Sequence, residues 1–347
     1  MENYLNRLPS DTENIDISSR QLTVFPTKLL SRFKKLKTLN CSNNLLKIIP
    51  SLNDYSSLEQ LNCSNNYLTS LSPLNHSLKT LYCYANHLTS LPLLLNTSLE
   101  ILYCYDNQLT SLPLLPPSLE VLYCYDNKLT LLPYLNASLR ILYCAFNPLT
   151  SLPPLLNTSL ELLNCSYNQL TSLPSLPPSL NTLCCNNNQL TSLSPLPPSL
   201  NKLECDNNQL TSLPPLPPSL KMLECNHNKL TSLPSLNHSL YKLKCSYNPL
   251  SCIPNLNDSL RYLIWNDTPI YVLLNGNREN IAKFNWFREY YFLSRLKKKI
   301  ISWMWKSREK AIREQFHYKH LLRFMEENDN DENVDLEPFL ENFTQVN

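Results

Sequence analysis

Thirteen cysteines are the most reactive side chains in this 347-residue sequence, and eleven of them keep a fixed interval. Cys41, Cys63, Cys83, Cys104, Cys124, Cys144, Cys165, Cys185, Cys205, Cys225 and Cys245 follow one another every 20–22 residues. A thiol can serve as nucleophile, metal ligand or disulfide partner. None of these is served by one cysteine per twenty residues without a C-x-x-C pair. The first twenty residues, MENYLNRLPSDTENIDISSR, are polar and charged, with no apolar run of export-signal type, and no later run approaches a membrane span. The cysteines are therefore expected to be thiols in a reducing, cytoplasmic compartment, stacked as small buried hydrophobes. Cys184, next to Cys185, is expected on the outward side. The six histidines are scattered and a single glycine leaves no phosphate-cradling loop. No catalytic constellation, cofactor site, metal site or small-molecule substrate is expected, and the chain is read as no enzyme.

The elements that carry these cysteines come from a repeat. From Leu213 to Ser232 it reads LPPLPPSLKMLECNHNKLTS. In LKMLEC, Leu223 and Cys225 point inward, while Met222, Glu224 and Asn226 point outward, as in a short strand with one buried face. Equivalent strands pair in parallel about 4.8 Å apart, so eleven repeats predict a ridge of roughly 50 Å. Three residues after each Cys stands an Asn, Asn44 through Asn248. Its amide is expected to satisfy the backbone of neighbouring turns. The return path, with 27 prolines to draw on, cannot be helical and is expected to run as extended polyproline II. Asn75, Asn96, Asn136, Asn157, Asn237 and Asn257 belong to an LNxSL variant and are read as turn residues, not glycan acceptors. Such a period defines a leucine-rich-repeat solenoid, right-handed, with short parallel strands on its concave face.

The repeat resembles the short-repeat leucine-rich proteins of bacteria, including effectors of enteric pathogens, whose units read LPxLPxxLxxLxVxxNxLxxLP. The resemblance covers about residues 36–254, with Cys in place of Val. It implies a recognition scaffold. Some members carry a C-terminal ubiquitin ligase with a catalytic cysteine, but no cysteine follows Cys252 here.

Residues 1–35 form an N-terminal cap with a degenerate repeat, 36–254 eleven repeats, and 255–276 a degenerate terminal repeat in which Trp265 is expected to plug the core. Residues 277–347 read as a small helical region. Arg278 to Arg323 carry +9 and Phe324 to Asn347 carry −8. The basic part, with Trp286, Trp303, Trp305 and Lys297–Lys299, reads either as a cap or as an adaptor that binds membrane, nucleic acid or cellular machinery while the repeats select cargo. The acidic end competes with any phosphate ligand and argues against nucleic acid and membrane. The stretch W-M-W-x-x-R-E-K-x-I…F-H-Y-x-x-L-L, Trp303 to Leu322, resembles tails of repeat proteins from large DNA viruses of protists. This implies a viral protein acting on a host protein in the host cytoplasm.

Information should lie in the outward strand positions on either side of each Cys. Tyr82, Tyr84, Tyr103, Tyr105, Tyr123, Tyr125 and Tyr143 fall on four consecutive strands, with Asp106, Asp126 and Phe146 one position further on. Tyrosine brings large contact area at low entropic cost, so this face is the leading candidate for binding a protein partner. Repeat duplication gives the same pattern without selection. Glu204, Asp206 and Glu224 form a second, acidic candidate. Ser166 is expected to be outward, so that its replacement should cost little.

Overall fold

In a computed structural model of the chain, residues 2–94, 98–155 and 159–285 are described. Each repeat contributes one three-residue strand: β1 Asn14–Asp16, β2 Thr38–Asn40, β3 Gln60–Asn62, β4 Thr80–Tyr82, β5 Ile101–Tyr103, β6 Val121–Tyr123, β7 Ile141–Tyr143, β8 Leu162–Asn164, β9 Thr182–Cys184, β10 Lys202–Glu204, β11 Met222–Glu224, β12 Lys242–Lys244 and β13 Tyr262–Ile264. They form one sheet in sequence order, every neighbour parallel and in register, as in Leu102↔Leu122 and Tyr103↔Tyr123. Thirteen strands at about 4.8 Å give a ridge of about 58 Å, longer than eleven repeats predict because both degenerate ends add a strand. Between β2 and β13 the described residues of the return path form no helix, as its prolines require.

Each turn buries the same set. In the β6 repeat, Leu119, Leu122, Cys124 and Leu129 are fully enclosed, and the eleven periodic cysteines are all 0% exposed. The asparagines join these turns. Asn127 donates from Nδ2 to the carbonyls of Cys104 (3.1 Å), Cys124 (3.2 Å) and Tyr125 (3.2 Å), and its Oδ1 accepts from the Leu109 amide at 3.0 Å. The pattern recurs at Asn147, Asn168, Asn188, Asn208, Asn228 and Asn248.

A second ladder runs along the convex side. The serine of each PPSL segment donates to a leucine carbonyl one repeat back, as in Ser118 to Leu99 (2.8 Å) and Ser219 to Leu200 (2.8 Å). In the LNxSL repeats the asparagine joins in. Asn136 Nδ2 donates to the Pro116 carbonyl at 2.7 Å and its Oδ1 accepts from the Ser138 amide at 3.0 Å, making a local turn. Asn237 does the same with Pro217 and Ser239. Asn96 and Asn157 lie outside the described residues.

Both ends are closed. Helix α1 (Glu2–Arg7) and helix α2 (Thr27–Leu30) bring buried Leu5, Leu30 and Phe33 over the first turn, and the Arg32 guanidinium donates to the Leu5 carbonyl at 2.7 Å. At the other end Trp265 takes the cysteine position at 3% exposure and meets Tyr271 edge-on, 5.2 Å between centroids. Thr268 replaces the asparagine. Its hydroxyl donates to the Trp265 carbonyl (2.8 Å) and accepts from the Tyr271 amide (3.1 Å), capping helix α3 (Pro269–Leu273). Ile270, Leu274 and Ile281 join the same core, and the buried Asn285 donates to the Ile253 carbonyl at 2.8 Å. The expectations for Trp286, Trp303, Trp305, Lys297–Lys299 and the acidic end lie outside the described residues.

Replacing Asn127 with Leu removes four hydrogen bonds at once and strands the Leu109 amide, at about 1–3 kcal/mol for each buried group left unpaired. The urea midpoint of Asn127→Leu should fall well below wild type, whereas Thr110→Leu, on an exposed turn position, should leave it nearly unchanged. Equal midpoints would refute the ladder's role.

Candidate functional site

The cysteine row is chemically silent. Burial pushes Cys41, Cys104 and Cys245 up to about 12 and holds the other eight well above the ordinary thiol value. All thirteen cysteines are unpaired thiols. Cys184 stands on the concave side, but, contrary to expectation, it is not accessible. It is 8% exposed, and burial, reinforced by the Glu204 carboxylate, raises it to about 12. The partly open thiol is Cys252, on the return path. Among the described residues no group of three His, Cys, Asp or Glu side chains could hold a metal.

The structure brings the seven tyrosines together as two adjoining columns on β4–β7. Tyr84, Tyr105 and Tyr125 stack nearly flat, 4.5 Å at 6° and then 4.4 Å at 9°. Tyr82, Tyr103, Tyr123 and Tyr143 run beside them. The first contact is edge-on at 5.1 Å, the next tilted at 4.4 Å, and the last stacked at 4.4 Å and 15°. The columns touch through Tyr103–Tyr105 and Tyr123–Tyr125 at 6.4 and 6.5 Å. The parallel register sets the rung spacing, and that spacing suits offset aromatic pairs. Each ring is half-buried by its neighbours. Burial, followed by the Tyr143 and Tyr103 phenols, pushes Tyr123 up to about 12, and burial also raises Tyr105, so these two central rings are neutral phenols at pH 7.

Asp106 and Asp126 are exposed beside the Tyr125 phenol. They sit in the left-handed region, φ 53° and 54°, which aspartate tolerates better than most residues. Phe146 occupies the same turn position but stacks on Tyr167, 4.1 Å away at 10°, so its ring forms a separate pair. Ile101, Val121 and Ile141, which sequence reasoning passed over, line the other edge of the panel half-buried. Their outward position, two residues before each flanking tyrosine, is the signal that identifies them.

A further feature separates this sector from the rest of the concave face. The amide of the residue after each Cys points to the preceding repeat, where no backbone acceptor waits. Ser42, Ser64 and Ser166 give it to an asparagine two residues earlier, 3.1 Å in each case. From β9 onward the preceding repeat supplies the acceptor. Asn186 donates to Ser166 Oγ (3.2 Å), Asp206 to Asn186 Oδ1 (2.8 Å), Asn226 to Asp206 Oδ1 (2.6 Å) and Ser246 to Asn226 Oδ1 (2.9 Å). Among the described residues the amides of Tyr84, Tyr105, Tyr125 and Ala145 have no acceptor. Contrary to expectation, Ser166 is engaged: it is 5% exposed, its amide donates to Asn164 Oδ1 and its hydroxyl accepts from the Asn186 amide.

Glu204, Asp206 and Glu224 also come together, each already engaged. Glu204 pairs with Lys202 at 2.7 Å, and Glu224 with Lys242 at 2.7 Å and Lys244 at 3.0 Å. Burial acts on Glu224 to raise it, yet the two ammoniums outweigh this and hold it below its usual range. Burial raises Asp206, whose carboxylate is spent on the Asn226 amide. The three lysines were legible in the sequence as Lys202-x-Glu204 on β10 and as Lys242-x-Lys244 on the strand after Glu224.

Parallel strands, a cysteine rung and an asparagine ladder at this period define a leucine-rich-repeat protein. The profile "Leucine Rich repeats (2 copies)" matches residues 34–76 and 137–178. Among solved structures, YopM from Yersinia enterocolitica WA-314 is 31% identical with a TM-score of 0.59, covering 77% of this chain and 66% of that one. YopM of Yersinia pestis, described as a leucine-rich effector protein, is 34% identical with a TM-score of 0.56, covering 75% of this chain and 84% of that one. The chain belongs to the leucine-rich-repeat family. Its fold is also that of InlJ from Listeria monocytogenes, whose functional domain is described as including a cysteine ladder (24% identity, TM-score 0.52, 77% and 65% covered). No curated protein matches the chain. Leucine-rich-repeat proteins are generally protein-interaction scaffolds.

The thiol row makes the fold sensitive to alkali. Unfolded thiols ionise near 9.0 while Cys41, Cys104 and Cys245 stay protonated to about 12, so unfolding releases protons in that window. Stability is full below about pH 9 and falls as pH rises, by about 1.4 kcal/mol per pH unit for each thiol, with the raised phenols acting in the same direction. The urea midpoint should drop sharply between pH 8 and pH 10.5. At pH 8 a thiol reagent should modify Cys252 before Cys184 or the row. A flat midpoint or rapid labelling of the row would contradict this account.

Proposed function

We propose that the protein is a non-enzymatic scaffold that binds a partner protein on its concave face, with the tyrosine panel of β4–β7 at the centre of the interface. The observation that carries this reading is the panel itself: seven half-exposed rings in ring-to-ring contact across four strands. Contiguous aromatic surface on a rigid sheet is where interface energy concentrates.

The unpaired amides of Tyr84, Tyr105, Tyr125 and Ala145 weigh against simple duplication. A serine, asparagine or aspartate in those repeats would satisfy them, as one does in β8–β12. Four consecutive repeats forgo that stabilisation, on the order of 1 kcal/mol each, which favours selection for the rings. A reducing, cytoplasmic setting belongs to the same proposal, supported by thirteen unpaired thiols. The viral resemblance of the tail favours a host protein as partner.

Tyr103→Ala combined with Tyr123→Ala removes the two central rings of one column. The pair should weaken partner binding at least a hundredfold, about 2.7 kcal/mol, while Glu204→Gln in the polar sector changes it less than threefold. Urea unfolding of each variant checks that the fold survives. If the tyrosine pair retains full affinity for a partner isolated with the wild-type chain, the panel is a product of repeat copying and the interface lies elsewhere.

A further inference from the structure

We infer that the panel takes a basic segment of a partner protein, its cationic side chains set against Asp106 and Asp126 and its apolar ones against Ile101, Val121 and Ile141. The inference rests on the binding role proposed above and adds the partner's chemistry.

The first support is an imbalance of charge. Glu13, Glu59, Glu120, Glu161, Glu204 and Glu224 each lie within 4.0 Å of a lysine or arginine. Asp106 and Asp126 do not, and among the described residues neither has an ion pair, though both are exposed and on adjacent repeats. Lys128, two residues from Asp126, turns to the Gln108 carboxamide at 3.4 Å. Further along, Glu204 and Glu224 have their own lysines and Asp206 accepts the Asn226 amide, so within the panel Asp106 and Asp126 are two adjacent carboxylates without a counter-charge among the described residues.

The second support is the order of side chains across the panel. From one edge to the other run half-buried aliphatic residues, two columns of tyrosine rings, and then the two carboxylates. An ammonium or guanidinium near a tyrosine ring gains from the ring's quadrupole. Two carboxylates one strand apart, about 4.8 Å, suit one guanidinium bridging both or two cations a helical turn apart. An acidic segment would meet the carboxylates and find no cation within the panel. The chain as a whole carries +2, so general attraction does not supply this preference.

The test uses the full chain and random twelve-residue peptides displayed on phage, followed by fluorescence anisotropy of the selected peptides. Lys and Arg should be enriched over Asp and Glu among the selected sequences. Affinity should fall at least tenfold in Asp106→Asn with Asp126→Asn, and again when salt rises from 50 to 300 mM. This double variant is structurally mild, because Asn187 and Asn207 hold the equivalent turn position with φ of 54° and 53°. Peptides that need Tyr103 and Tyr123 but ignore the aspartates and salt would overturn the basic partner and leave the panel standing. Selection of no peptide sensitive to Tyr103→Ala with Tyr123→Ala would overturn both readings.

Discussion

Backbone satisfaction across the repeat boundary is the constraint on which this solenoid depends. A three-residue strand leaves most of its turn without regular hydrogen bonds, and those groups lie against a leucine core where water cannot serve them. The asparagine answers this within a single side chain, joining two cysteine carbonyls one repeat apart and accepting a leucine amide. The serine does a smaller version on the convex side. Both bonds reach one repeat back, so a turn is complete only when its neighbour is present. The ends confirm the rule by their substitutes: Thr268 caps a helix and its own turn, while Arg32 reaches across to the first helix.

Much of this was legible in the residues. Inward leucines, the enclosed cysteines and the asparagine ladder all follow from a period of about 20 and the alternation around each Cys. The tyrosine columns were legible too, because equal period places equal positions side by side. The acceptor of the amide after each Cys was not. It depends on whether a side chain of the same repeat or of the preceding one bends toward it: Asn164 does so for the Ser166 amide in its own repeat, and Ser166 Oγ for the Asn186 amide of the next. Cys184 shows the same limit. Its outward register is right, yet neighbouring side chains close over it and leave 8% exposure. Register tells which face a residue takes; height of the neighbours decides whether solvent reaches it.

The concave face therefore divides by how each sector treats one amide. On β2, β3 and β8 an asparagine in the same repeat accepts it, and on β9–β12 a polar side chain passes the bond along. On β4–β7 tyrosines occupy both flanking positions, apart from Ala145, and the amides go without. A ring and a capping carboxamide compete for one site, so an aromatic panel and a complete ladder exclude each other there. Stability in a solenoid is a sum of repeat and neighbour contributions, so a local deficit is carried by intact turns on either side. A globular core of the same size would spread that deficit through shared packing.

The same competition explains why charge is distributed as it is. Where the polar ladder runs, carboxylates are drawn into it or into lysines beside it, as Asp206 is bound by the Asn226 amide and Glu224 by two ammoniums. Little free field remains for a partner to read. Where the rings run, the turn positions hold Asp106 and Asp126 for their backbone conformation, and no cation of the panel answers them. On the binding role proposed above, two carboxylates that suit a left-handed turn supply the recognition charge of the aromatic face. Asparagine would have met the backbone demand equally well, as Asn187 and Asn207 do, so what aspartate adds at these two positions is its charge.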